Sequence, residues 1–306
     1  MSLLEVKNVS KTISNKTILE NIDLTLKEGE ILGFLGPNGA GKTTTIKLIV
    51  GLFRITEGDI IINNYSINEN PQKAKSSLGV IVENPAFYPY MSGYENLKHS
   101  YRLQNGAPNK NRIKEVLNIV GLTDRIHDKV KKYSLGMKQR LGLAQALLHQ
   151  PKILILDEPT NGLDPDGIKE MRRTLKKLAS EEDIGIIISS HLLSEMELMC
   201  DRVTIIRNGK IIANKILDES NNSSIYKLNT TNNIVARKIL NKKIIRNISR
   251  NELILECSEI EIQRSIRDLV EGEIDIKYVN KEKVSLEDYF VTVTKDGSDI
   301  SESIDD

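Results

Sequence analysis

Gly36-Pro37-Asn38-Gly39-Ala40-Gly41-Lys42-Thr43 combines residue types and spacing that suit phosphate chemistry. Four residues separate Gly36 from Gly41, and Lys42 and Thr43 follow directly, the pattern of a P-loop. Glycines let backbone N–H groups turn inward around phosphate oxygens, and the helix that follows offers its positive end to them. In such a loop residues 36–44, Thr44 included, cradle a nucleotide's phosphates, Lys42 reaches the outer ones and the Thr43 hydroxyl ligates Mg²⁺. A glycine-rich turn with an incidental lysine would match in roughly one chain of this length in a hundred. Here the match also lies between an apolar run and a helical stretch, the context the pattern requires. A second constellation is Ile153-Leu154-Ile155-Leu156-Asp157-Glu158. Two carboxylates ending an apolar strand are costly unless something pairs with them. Asp157 suits Mg²⁺, directly or through water, and Glu158 suits a general base that polarises an attacking water.

Elements must hold these groups. Alternation predicts strands over 3–9 and 18–26, separated by the polar turn Ser14-Asn15-Lys16, and a short buried strand over 30–35. A helix is expected over 42–50, stopped by Gly51, with strands over 59–62 and 78–82. From about 92 to 150 the periodicity turns helical, over 94–104, 111–120 and 135–149. Strands return over 153–156, 185–189 and 202–207, with helices over 166–180 and 193–200. Buried runs alternating with helices predict an α/β fold, a mostly parallel sheet with helices on both faces, an antiparallel β edge and an inserted helical subdomain. The expected divisions are a nucleotide-binding domain over 1–217, its helical subdomain about 88–150, and a linker over 218–224 rich in Asn and Ser. Beyond it the order strand 225–228, helix 234–241, a hairpin across 249–251, helix 260–269 and strand 274–279 gives βαββαβ, a small ferredoxin-like α+β module over 225–290. Residues 291–306 read as an acidic solvated tail; from Glu287 onward there are seven acids and one lysine.

Composition narrows the classes. The 306 residues carry 43 basic and 42 acidic side chains, a net charge of +1, without the concentrated basic excess of a nucleic-acid binder. Cys200 and Cys257 make no disulfide framework, which suits a reducing cytosol. No stretch reaches the roughly 18–20 apolar residues that span a bilayer, so any membrane role needs a partner that supplies the span.

Ser134-Leu135-Gly136-Met137-Lys138-Gln139-Arg140, just before a helix, resembles the signature motif of the ABC family, usually Leu-Ser-Gly-Gly-Gln. Alone it would read as an N-cap serine; beside a P-loop it discriminates, because other P-loop enzymes lack it. Tyr133 replaces the leucine and Leu135 the first glycine, while Ser134 and Gly136 are retained. Asn161-Gly162-Leu163-Asp164 is similar to the family's D-loop, and His191 after Ser189-Ser190 to its switch histidine near the γ-phosphate. The resemblance covers about residues 3–214. It implies an ATPase with ATP and Mg²⁺ as cofactors, in which Glu158, His191 and the residue at 83 act in catalysis. It also implies that two copies pack head to tail, so that Ser134 and Gly136 of one, with Asp164 between subunits, cap the phosphates held by the other. A separate integral membrane permease, docking near residues 83–94, would place the protein peripherally at the cytoplasmic face of the membrane.

Two departures follow from the same comparison. The family's Q-loop glutamine is Glu83 here, which adds a charge beside Mg²⁺ and leaves open stronger metal binding or a raised pKa. The aromatic ring that usually stacks on adenine has no counterpart near Ile13, so apolar contact would replace stacking. Val82-Glu83-Asn84-Pro85-Ala86-Phe87-Tyr88-Pro89, Ser92-Gly93-Tyr94-Glu95-Asn96-Leu97 and Ser285-Leu286-Glu287-Asp288-Tyr289-Phe290 resemble the bacitracin- and lantibiotic-resistance ATPases of that family, which implies export of peptide antibiotics. The class alternatives are a cytosolic ATPase of the same family acting on ribosomes, which usually carries two cassettes in one chain, and an SMC-type DNA-repair ATPase. In the latter a long coiled coil separates the motif halves, whereas only about 90 residues lie between Lys42 and Ser134.

Overall fold

A computed structural model of the chain describes residues 2–82, 85–190, 192–217, 224–240, 244–248, 252–282, 286–287 and 289–290. Glu83 and His191, both named above as catalytic, lie outside the described residues, as does the 249–251 turn. The chain divides into two compact units, Met1–Ile216 and Leu217–Asp306.

Fully buried runs build the centre of the first unit. Strands β3 (Ile31–Leu35), β7 (Ile153–Asp157) and β8 (Gly185–Ser189) are buried at every position, as strands covered on both faces must be. With β6 (Leu78–Ile81), β9 (Arg202–Arg207) and β10 (Lys210–Ile216) they form a six-stranded sheet in the order β10-β9-β3-β8-β7-β6. Neighbours pair in parallel except β10 with β9. Strands β1 (Ser2–Ile13), β2 (Lys16–Lys27), β4 (Glu57–Ile62) and β5 (Tyr65–Ser66) form a separate antiparallel sheet, β2-β1-β4-β5.

Alternation along β3 shows what covers the central sheet. Leu32 and Phe34 join one core with Leu4, Val6, Leu19 and Leu24 of the antiparallel sheet and with Ile46 and Ile49 of helix α1 (Lys42–Ile49). Gly33 points the other way, where a Cβ would sit 2.8 Å from Met196 and 3.0 Å from Cys200, around helix α7 (Leu193–Met199). Between β6 and β7 run helices α3 (Gly93–Asn105), α4 (Lys110–Val120) and α5 (Leu135–Leu147). Helix α6 (Pro165–Glu182) runs between β7 and β8.

Hairpin chemistry sets three registers. The two-residue loops Ser14-Asn15, Asn63-Asn64 and Asn208-Gly209 all have both residues at positive φ, the geometry whose twist matches paired strands and which Asn and Gly tolerate. Strand β10 follows from the third of these. It was not among the expected elements, nor were β5 and helix α2 (Pro71–Ser76).

The second unit carries β11 (Ser224–Thr230), α8 (Asn233–Ile239), β12 (Ile245–Ile248), β13 (Leu253–Cys257), α9 (Glu259–Glu271) and β14 (Ile276–Glu282). Its antiparallel sheet runs β12-β13-β11-β14, the ferredoxin-like order. Tyr226, Leu228, Leu253 and Leu255 pack there with Ala236, Ile262 and Leu269 of the two helices. Among the described residues no helix is long and apolar enough to cross a membrane.

Candidate nucleotide site

The loop after β3 cannot carry side chains at its turning points. A Cβ on Gly36 would lie 2.4 Å from the Ile206 carbonyl oxygen, and one on Gly41, at φ +114°, 2.5 Å from Leu19. Gly41 then opens α1, whose first turn contains no acidic residue, so its unsatisfied N–H groups favour an anion. Ala40 is held to the body of the protein: its N–H donates to the Pro37 carbonyl at 3.1 Å and its carbonyl accepts from Gly209 N at 3.0 Å.

A cavity of about 760 Å³ lies over this loop, lined by Gly36, Pro37, Asn38, Gly39, Gly41, Lys42, Thr43 and Thr44. Of the residues expected there from 36 to 44, Ala40 alone is turned inward, 3% exposed. Asp157, Glu158, Asn161 and Ile18 complete the lining. Ile13, expected to meet the base, is not part of this lining and is exposed at the end of β1, whereas Ile18 of the paired strand lines the cavity.

Lys42 Nζ donates to the Gly36 carbonyl at 2.6 Å and the Pro37 carbonyl at 3.3 Å. Burial pushes its pKa down, while Glu158 and then Asp157 pull it back up. Asp157, 5% exposed, is bonded on both carboxylate oxygens. Thr43 Oγ1 donates to Oδ2 at 3.4 Å, and the Ser189 hydroxyl donates to Oδ1. Glu158, half-buried, has φ +53°, a left-handed conformation that costs a non-glycine residue about 1 kcal/mol and clusters at functional sites. Its N–H donates to both the carbonyl and the hydroxyl of Ser189, at 3.1 Å each. Ile18 is outside the expected site, and Asn161 and Ser189 entered only as members of the D-loop and switch-histidine runs, without a role of their own. The Thr43 hydroxyl and the Asp157 carboxylate, hard oxygens side by side on the cavity wall, fit Mg²⁺.

Ser134, Gly136 and Asp164 sit elsewhere. They line a second cavity of about 390 Å³ between the start of α5 and the start of α6, with Arg140, Leu163 and Glu170. Ser134 caps α5, its hydroxyl accepting from Met137 N at 3.2 Å, and Asp164 caps α6 by accepting from Gly167 N at 3.0 Å. A single chain therefore holds the two halves of the expected pocket apart. The run 158–164 links them, with Asn161 in the first cavity and Asp164 in the second.

Comparison with known proteins decides the family. The ABC transporter family model matches residues 19–161. A second model, of an AAA domain described as a putative AbiEii toxin of a Type IV TA system, matches 128–197. "Uncharacterized ABC transporter ATP-binding protein YhcH" of Bacillus subtilis is 49% identical over 96% of both chains. The chain belongs to the ABC transporter ATP-binding proteins. Within that family it is 39% identical to bacitracin transport ATP-binding protein BcrA of Bacillus licheniformis, over 97% of this chain and 99% of that one. It is 41% identical to lantibiotic transport ATP-binding protein SrtF of Streptococcus pyogenes, over 72% and 93%. Among solved structures, an ATP-binding subunit of an ABC transporter superposes with a TM-score of 0.64 at 31% identity, covering 71% of this chain and 91% of that one. A dimeric post-hydrolysis state of the cassette MJ0796, bound to ADP and Pi, superposes at 0.63 with 26% identity, covering 70% and 99%. This protein is thus an ATP-hydrolysing cassette with a P-loop fold. ABC cassettes bind ATP and, generally, Mg²⁺, and work as dimers with a membrane permease.

Proposed function

We propose that this cassette powers a separate permease that exports peptide antibiotics of the bacitracin or lantibiotic type. The observation that carries the reading is the end-to-end match with BcrA, which runs through the C-terminal unit as well as the cassette. The lantibiotic relative supports the same cargo class over the cassette.

In this reading the loop 36–44 holds the triphosphate and the Lys42 ammonium moves from the Gly36 and Pro37 carbonyls to the outer phosphates. Thr43 and Asp157 would hold Mg²⁺, which when bound neutralises phosphate charge and fixes the phosphate oxygens. Glu158 accepts a proton from the water that attacks the γ-phosphorus, and ADP leaves with the bridging oxygen. Ser134 and Gly136 of a second copy complete the pocket head to tail, so closure follows ATP and opening follows hydrolysis.

The loop before α3 is the proposed permease dock. Tyr88 and Tyr90 are 44% and 63% exposed, with ring centroids 5.8 Å apart, and Tyr88 also meets His99. Buried Asn96 pins this display, accepting from Tyr88 N at 2.9 Å and donating to Tyr88 O at 3.1 Å. Rigid exposed tyrosines are favourable interface anchors. Docking there would place the cassette at the cytoplasmic face of the membrane.

The test is co-expression with the permease in an antibiotic-sensitive host. The inhibitory concentration of a bacitracin- or lantibiotic-type peptide should rise several-fold, and Glu158→Gln should abolish the rise. An assembled complex that hydrolyses ATP yet shifts tolerance to neither peptide class would remove the cargo assignment and leave the ATPase assignment standing.

A further inference from the structure

Ser189 is fully buried at the end of β8, where the parallel register sets it directly beside Asp157 at the end of β7. Its single hydroxyl does two things. It donates to Asp157 Oδ1 and accepts from Glu158 N. We propose that Ser189 is a positioning residue for both carboxylates, fixing the Asp157 carboxylate for the metal and the left-handed backbone of Glu158 for the attacking water.

Directional bonding explains why one hydroxyl suffices. A serine has one proton to give and lone pairs to accept with, and each is used on a different member of the pair. With Ser189 holding Oδ1 and Thr43 holding Oδ2, the carboxylate plane of Asp157 cannot rotate freely. The neighbouring residue, at φ +53°, is a strained link that sets the backbone from which the Glu158 side chain extends. Strain of this kind persists only where surrounding bonds over-determine it. Here the Glu158 N–H has two acceptors on one residue, the carbonyl and the hydroxyl of Ser189. Losing the hydroxyl leaves the carbonyl bond, so the strand pairing survives while the aim of both acids loosens. Partners of this kind, one step behind a metal ligand, change metal affinity or activity by about 10- to 100-fold when removed.

The inference rests on the roles given above to Asp157 and Glu158, and the test separates the two. Mn²⁺ is titrated by electron paramagnetic resonance into protein saturated with ADP, alongside steady-state ATPase and thermal unfolding. Ser189→Ala should weaken Mn²⁺ binding and lower kcat by about tenfold or more, with KM for ATP nearly unchanged and Tm lowered by only the few degrees that one lost buried hydrogen bond costs. Ser189→Thr, which keeps the hydroxyl, should restore both. If Ser189→Thr does not fold, the Asp157→Asn background decides: there Ser189→Ala should add nothing further to the loss of Mn²⁺ affinity. Ser189→Ala with parental Mn²⁺ affinity and kcat, or additive losses in the Asp157→Asn background, would overturn the proposal. Parental Mn²⁺ affinity in Asp157→Asn itself would instead overturn the assignment of the metal ligand.

Discussion

An ammonium buried beside two carboxylates changes its proton affinity when phosphate arrives. Burial holds the Lys42 pKa below that of a free lysine, and a bound triphosphate favours the charged form. As the pH rises through that lowered pKa the nucleotide-free amine gives up its proton, so ATP binding at alkaline pH takes a proton up. Calorimetry in buffers of different ionisation enthalpy should show a buffer-dependent heat that Lys42→Ala abolishes, with a loss of about 2 kcal/mol in affinity. Parental ATP affinity in that variant would contradict the phosphate role. Glu158→Gln should bind ATP as the parent does and turn over about 10²- to 10⁴-fold more slowly; turnover near the parental rate would remove the base role. The loop and the two acids were legible because their types and spacing are local. Ser189 was not, since it meets Asp157 only through the order β3-β8-β7, a pairing across some 30 residues that no local pattern carries. Ile18 escaped for a similar reason: that the second strand of the β1–β2 hairpin contributes a residue to the cavity lining depends on packing.

Helix α5 carries two residues whose types its own fold does not require equally. Ser134 is needed as a cap, for its hydroxyl takes the Met137 N–H. Gly136 is not needed: a Cβ there would meet Leu163 at 3.6 Å and Ser134 Oγ at 4.0 Å, ordinary contact distances. Gly136→Ala should therefore leave Tm unchanged or slightly raised, since alanine favours a helix by up to about 1 kcal/mol over glycine, while ATPase falls. Ser134→Asp keeps a good cap and sets a negative charge where the partner's phosphate belongs, so stability should hold and ATPase should be lost. Differential scanning calorimetry beside an ATPase assay checks both; parental ATPase activity in both variants would make these residues purely helical. Helix α3 starts at a Ser92–Glu95 capping box and α6 at Asp164-Pro165, but it was their period alone that made these long elements legible. The strand β10 was not, although Asn208-Gly209 is a hairpin signal, because its half-exposed edge pattern Lys-Ile-Ile-Ala-Asn-Lys-Ile mixes apolar and polar on both faces. Six-residue α2 and two-residue β5 are too short to show a period.

At the scale of the whole molecule, one chain holds its phosphate loop and its signature serine in different cavities. A nucleotide in the first cavity has water on the side that a second copy would cover. In the proposed head-to-tail pairing, two 34.4 kDa copies would be the smallest hydrolytic unit. The C-terminal unit has its own sheet and core, and its βαββαβ order was readable from the alternation of short strands and helices, whereas the 249–251 turn falls outside the described residues. The most direct measurement is ATPase activity per milligram of the purified cassette, without permease, across serial dilution at saturating Mg-ATP. Specific activity should fall towards zero as the protein is diluted below its ATP-bound dimer dissociation constant. Specific activity that stays flat down to concentrations where sedimentation shows only single copies would contradict the shared site.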